Sequence, residues 1–163
     1  MPVAEEPVAA STAADRGVVH VAIVEAPIDV VRVIAMTGHA GVGAISLFLG
    51  TVRDLNDGRD VSGMDYEAYQ PMAERELGAI AAETCEQHPG VSLAIEHRIG
   101  SLRVGDVSVA IAAAHAHRGP AMAASQRVIE QLKRRVPIWK REHYVDGERS
   151  WVDPTRMLET HAS

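Results

Sequence analysis

The spacing of apolar positions along the chain alternates between a period of two and one near 3.6. Val18 to Val24 is a β-rich run around His20 and predicts a first strand. Pro27 opens a segment with Ile28, Val31 and Ile34 at helical spacing, closed by Gly38, Gly41 and Gly43. Ala44 to Val52 is apolar almost without a break, which predicts a buried strand, and it ends at Arg53 and Asp54. Asn56-Asp57-Gly58 is a turn signal, and Val61 to Tyr69 returns as a strand expected to pair antiparallel with the preceding one. Pro71 suits the first turn of a helix whose stripe Ala73, Leu77, Ile80, Ala81 and Thr84 faces the core, with Pro89-Gly90 ending it. Val91 to Ile99 and Val107 to Ala114 predict two further strands. In the second, Ser108, Ala110, Ala112 and Ala114 put small side chains on one face, where a helix or another subunit can come close. Gly119-Pro120 begins a helix to about Arg135, with Met122, Ile129, Leu132 and Val136 as its buried side, and Pro137 stops it. Ile138 to Val145 is extended, Asp146-Gly147 turns, and Arg149 to Val152 closes a hairpin.

The resulting order, β α β β α β β α β β, lacks the one-for-one alternation of a doubly wound sheet. It predicts an α+β fold with mixed or antiparallel sheets. Residues 18–152 form the expected domain, flanked by an aperiodic tail over 1–17 and a weakly specified tail over 153–163. A length of 163 residues suits one domain. The 47% hydrophobic and 23% charged content is that of a soluble protein, and with 4% aromatic residues the core must be aliphatic. A net charge of -6 argues against a surface that binds nucleic acid as a whole. The single cysteine, Cys85, lies beside the helical core stripe with no basic neighbour, so it reads as a small core residue and excludes an intrachain disulfide. No apolar run approaches the roughly 18 residues that span a bilayer. The N-terminus has no cationic segment or apolar stretch of a signal peptide, so the expected location is the cytoplasm.

Charge chemistry concentrates in residues 131–141, QLKRRVPIWKR, which hold five cations and no acid in an acidic chain. The only two lysines, Lys133 and Lys140, stand here against fourteen arginines elsewhere and between them. An amine can lose its proton and act as base or nucleophile, whereas a guanidinium cannot. The plain alternative is a solvated helix end, which favours cations through the helix dipole. Arg53 follows one strand, and His117-Arg118 follows another just before a helix N-terminus; both are favourable places for an anionic ligand. If the strands are neighbours, Arg53, His117, Arg118, Lys133 and Lys140 converge. His115 and His117 share a strand face, but zinc sites use three or four protein ligands and no carboxylate or cysteine is close, so no metal is expected. There is no P-loop, dinucleotide fingerprint or nucleophile elbow, and no cofactor is expected.

The segments FLGTVRD (48–54), MDYEAY (64–69), HRIG and LRVGD (97–100 and 102–106), AHRG (116–119) and LKRRVPIWKRE (132–142) occur in that order. Together they resemble the large, catalytic subunit of molybdopterin synthase over roughly Val18 to Val152. The resemblance implies an α/β hammerhead fold and a homodimer that binds a small ubiquitin-like subunit at each end, a heterotetramer. It implies sulfur transfer from the partner's C-terminal Gly-Gly thiocarboxylate, twice in succession, to cyclic pyranopterin monophosphate, giving the molybdopterin dithiolene. The sulfur then arrives on the partner, so one unactivated cysteine is no obstacle. By the same matching Thr51, Val52, Arg53, His117 and Arg118 bind substrate, Lys133 and Lys140 are the catalytic lysines and also touch it, and Arg141 and Glu142 complete the pocket edge. Lys133 would transfer protons and stabilise charge, and its amine can trap the tail as an isopeptide. Lys140 would orient the phosphate or pterin, with a neutral amine favoured by crowding from Arg134, Arg135 and Arg141. His115 and the C-terminal arginines, Arg149 and Arg156, are left without an assigned role. Two rival readings are a nucleic-acid-binding module using residues 133–141 and a scaffold that only binds a ubiquitin-like protein.

Overall fold

The computed structural model describes residues 17–152. The tails expected at either end therefore lie outside the described residues, as does Arg156; Gly17 alone is described, and its carbonyl accepts from the Leu93 amide. The elements run β1 (Val18–Val24), α1 (Val30–Met36), β2 (Ala44–Thr51), β3 (Leu55–Asn56), β4 (Arg59–Ala68), α2 (Gln70–Gln87), β5 (Ser92–Arg98), β6 (Gly100–Arg103), β7 (Val107–His115), α3 (Arg118–Arg135), β8 (Ile138–Tyr144) and β9 (Arg149–Val152). This is the predicted α+β order with two short strands added, β3 and β6.

One sheet has the order β1-β5-β7-β2, with β1 and β5 parallel and the other pairs antiparallel. The second has β3-β4-β8-β9 with β6 also on β4, all antiparallel. Helices α2 and α3 cover one face of the first sheet. Leu77, Ile80, Leu93, Ile95, Ile111 and Val128 are fully buried between them. The predicted stripe of α2 is the buried one, residue for residue. The stripe of α3 holds in part: Leu132 and Val136 are buried and Ile129 packs half-buried against the core, joined by Ala121, Ala124, Ser125 and Val128, whereas Met122 is 62% exposed. Near the start of the helix the small Ala121 and Ala124 take the buried side and let the helix axis approach the sheet, which a large methionine would hold off. Helix α1 likewise starts late, because the Asp29 carboxylate accepts from the Arg32 amide and caps it there. Val33 becomes its buried residue, and the expected Val31 is 76% exposed.

Two strand expectations fail. The apolar run at β2 is no central strand: it is the edge of its sheet, and none of its residues is buried. Phe48 packs toward α3 while Ile45, Leu47 and Leu49 face outward. Nor does β4 pair with β2. The Val52 amide bonds to the Asp106 carbonyl, which carries the chain across to the second sheet, and Asp57-Gly58 then makes a two-residue hairpin of β3 with β4. Both turn residues have positive φ, 49° and 75°, as a type I′ turn requires.

Candidate active site

The two sheets meet where β2 ends and β8 begins. Side chains alternate along β8, so Ile138, Lys140, Glu142 and Tyr144 face inward while Trp139, Arg141 and His143 face the other side. In the antiparallel pairing, Tyr66 lies opposite Lys140 and Met64 opposite Glu142. A cleft forms there, lined by Thr51, Val52, Arg53, Asn56, Tyr66, Lys140 and Glu142 among others. Glu142 is 2% exposed, and its Oε2 accepts from Asn56 Nδ2 at 2.8 Å and from the Tyr144 hydroxyl at 2.5 Å. Arg53 donates through a terminal guanidinium nitrogen to Asn56 Oδ1 at 3.3 Å. Burial pushes the Lys140 amine below its ordinary range; Glu142 opposes this, and the charges of Lys133 and Arg53 add to it. Tyr66 is raised by burial, with its ring edge on His97 at a centroid distance of 5.3 Å.

Of the residues named from sequence, Thr51, Val52, Arg53, Lys140 and Glu142 share this cleft, and Lys133 on the exposed last turn of α3 acts on the Lys140 amine electrostatically. Arg141 does not face it. Its guanidinium binds Asp65 at 2.7 Å on the opposite side of the sheet and lies 5.1 Å from the Trp151 ring centre. The crowding foreseen at the amine also has other sources. Arg135 is drawn away by Glu76 at 2.8 Å and Glu83 at 2.6 Å, so Lys133 and Arg53 are the cations that matter to Lys140. The basic run 131–141 is thus split over three surfaces rather than forming one patch.

His117 and Arg118 stand apart from the cleft. They line a second depression with Gly43, Ala44, Gly119 and Pro120. Ala44 pairs with His115 at one end of β2 and Thr51 pairs with Val107 at the other. Seven steps of strand separate those ends, roughly 23 Å. Convergence of all five cationic side chains within one chain is therefore wrong. His115 has a structural place here: Nε2 is 3.2 Å from the Pro89 carbonyl and Nδ1 accepts the His117 amide at 2.9 Å, which assigns the proton to Nε2. Among the described residues no cluster of three potential metal ligands occurs. The sequence reading missed Asn56, Tyr66 and Tyr144. Asn56 was read only as part of a turn, and only the strand alternation carried through from Lys140 would have placed Tyr144 beside Glu142.

Comparison with known proteins identifies the family and the fold. The family model described as MoaE protein matches residues 23–135. The chain is 47% identical over 131 residues to the molybdopterin synthase catalytic subunit of Halalkalibacterium halodurans, covering 80% of this chain and 83% of that one. It is 42% identical over 140 residues to the Bacillus subtilis protein of the same name, covering 86% and 87%. The crystal structure of molybdopterin synthase from Staphylococcus aureus superposes with a TM-score of 0.78 at 38% identity, over 82% of this chain and 96% of that one. With a cleft holding Lys140, Glu142 and Arg53 at the junction of its sheets, the chain belongs to the MoaE family of molybdopterin synthase catalytic subunits.

Proposed function

We propose that this chain takes sulfur from the C-terminal thiocarboxylate of a small ubiquitin-like partner and delivers it, twice in succession, to cyclic pyranopterin monophosphate, forming the dithiolene of molybdopterin in the cytoplasm. The observation that carries the reading is the meeting of Lys140, Lys133 and Arg53 around one cleft whose floor is the buried Glu142. Cations at the mouth suit a phosphate-bearing substrate. Burial disfavours the charged form of the Lys140 amine, and an amine can give up its proton as a guanidinium cannot. In this reading Lys133 sits at the partner's terminal glycine, moves protons and stabilises the charge that develops as sulfur leaves the carbonyl carbon. Lys140, with Thr51, Val52, Arg53 and Glu142, orients the substrate.

His117 and Arg118 enter the site from a second copy. The free edge of β2, with Ile45, Leu47 and Leu49 exposed, supports a homodimer about a two-fold axis at this strand. Antiparallel pairing of β2 with its counterpart, centred on Phe48, sets residue 44 of one copy opposite residue 52 of the other. That brings the partner copy's His117 and Arg118 beside Thr51 and Arg53. Arg141, held by Asp65 outside the cleft, then shapes the edge of the sheet and does not touch substrate. A nucleic-acid reading finds no support in a basic segment divided over three surfaces.

The test is reconstitution. The purified chain, a thiocarboxylated small subunit and cyclic pyranopterin monophosphate are mixed, and the pterin is followed by mass spectrometry. The expected result is a pterin carrying two added sulfurs, lost on Lys133→Ala and reduced at least about a hundredfold in Lys133→Arg, which keeps charge without a titratable amine. Near-normal turnover by Lys133→Arg would remove the proton-transfer role. A stable complex without product would leave a scaffold.

A further inference from the structure

Arg53 and Glu142 line the same cleft with opposite charge, yet they are not paired with each other. Seven of the other eleven arginines among the described residues reach a carboxylate oxygen. The side-chain hydrogen bond of Arg53 goes instead to a neutral amide, Asn56 Oδ1, at 3.3 Å. The other end of that amide, Nδ2, donates to Glu142 Oε2 at 2.8 Å. A guanidinium and a carboxylate on one wall close on each other as a bidentate pair when nothing intervenes, and a guanidinium so paired has lost the fork with which it would grip phosphate.

We propose that Asn56 is a positioning residue of the site: its amide stands between Arg53 and Glu142, holds the two charges apart, and leaves the guanidinium turned to the cleft to receive the substrate's phosphate. An amide can do this because one end accepts and the other donates. Its orientation is fixed by its neighbours, since the flipped amide would set its oxygen against the carboxylate and its NH2 against the guanidinium. The backbone is fixed as well, because Asn56 pairs with Arg59 across the Asp57-Gly58 turn. Glu142 is steadied at the same oxygen by the Tyr144 hydroxyl, whose ring lies under the Arg59 guanidinium at 3.6 Å. The proposal rests on the sulfur-transfer reading above, which supplies the phosphate-bearing substrate.

The experiment compares steady-state kinetics of the complex, with thiocarboxylated small subunit and cyclic pyranopterin monophosphate, for the wild-type chain, Asn56→Ala and Asn56→Asp. Asn56→Ala lets Arg53 and Glu142 meet, and its KM for the pterin is expected to rise about tenfold with kcat within about threefold of wild type. Asn56→Asp keeps the shape but gives Arg53 a charged partner, and its KM should rise similarly. A KM within twofold of wild type for both variants overturns the proposal. So does a loss confined to kcat, because Asn56 would then not act on the binding of the phosphate. A wild-type chain that makes no product fails the sulfur-transfer reading itself, and this role with it.

Discussion

Lys140 and Arg141 are neighbours in sequence and both cationic, and strand alternation sends them to opposite sides of β8. The pattern of motif residues in LKRRVPIWKRE was legible without coordinates; which of its cations face the cleft was not, because that depends on which carboxylates lie nearby. Asp65 claims Arg141, and the Glu76–Glu83 pair on α2 claims Arg135. Those acids are distant in sequence from the cations they bind. Beneath the cleft, His97 carries a prediction of its own. It is 4% exposed, and burial pushes its imidazole down to about 4 from an ordinary 6.5, although its bond to the Arg98 carbonyl works the other way. The unfolded chain therefore binds a proton near pH 6.5 that the folded chain refuses until about pH 4. Stability from this group is full above pH 6.5 and is lost as pH falls through that window, by about 2 kcal/mol between pH 7.5 and pH 5. Urea midpoints at the two pH values should show the loss in wild type and not in His97→Gln. Asp65 acts in a separate, lower window. Burial opposes its charge, but Ser101, Arg141 and His143 outweigh burial and hold it below the usual carboxylate range. Its contribution is present above pH 3.8 and is lost only as pH falls below that.

At the scale of elements, legibility followed the size of the side chains that define a face. Helix α2 has a stripe of Leu77 and Ile80 among small residues, and the reading of it holds. In α3 Leu132 and Val136 are buried as read, and only Met122, near its start, gives way to the close-packing Ala121 and Ala124. The β2 strand misled for a different reason. An uninterrupted apolar run marks a strand covered on both faces, and β2 within one chain is covered on one. The start of β2 is held tightly: the Gly43 amide donates to the His115 carbonyl at 3.1 Å, and a Cβ at residue 43 would come within 2.3 Å of the Ala116 carbonyl oxygen. That oxygen is backbone and cannot swing aside. Gly43→Ala should therefore push β2 from the 115–117 segment and cost about 2 kcal/mol of folding stability. Thermal melts of the purified variant check this, and an unchanged melting temperature would mean that the segment yields freely.

The whole molecule contains two incomplete halves of one proposed site at opposite ends of the same edge strand. Arg53 and Lys140 lie beyond Thr51, and His117 and Arg118 lie beside Ala44. A monomer cannot join them, because the separation is set by the length of β2. A two-fold dimer through that edge joins them twice, once at each end, and makes a sharp demand on subunit mixing. Lys133→Ala damages the cleft half, and Arg118→Ala damages the other half. Each homodimer has two damaged sites and should be inactive or nearly so. In a heterodimer of the two variants, one site receives both lesions and the other receives neither. If the variants exchange subunits at random, half the dimers are mixed and half of their sites are intact, so activity should recover to about a quarter of wild type. Recovery should depend on the time allowed for exchange, and it should vanish when Leu47→Lys is added to both chains, because that charge lies on the outward apolar stripe of β2. If each chain instead assembled a complete site by itself, mixing would restore nothing at any ratio. The same mixture run with Lys133→Ala and Lys140→Ala provides the internal control: those two lysines belong to the same half, every heterodimer site carries one lesion, and no recovery is expected even though the subunits exchange as freely.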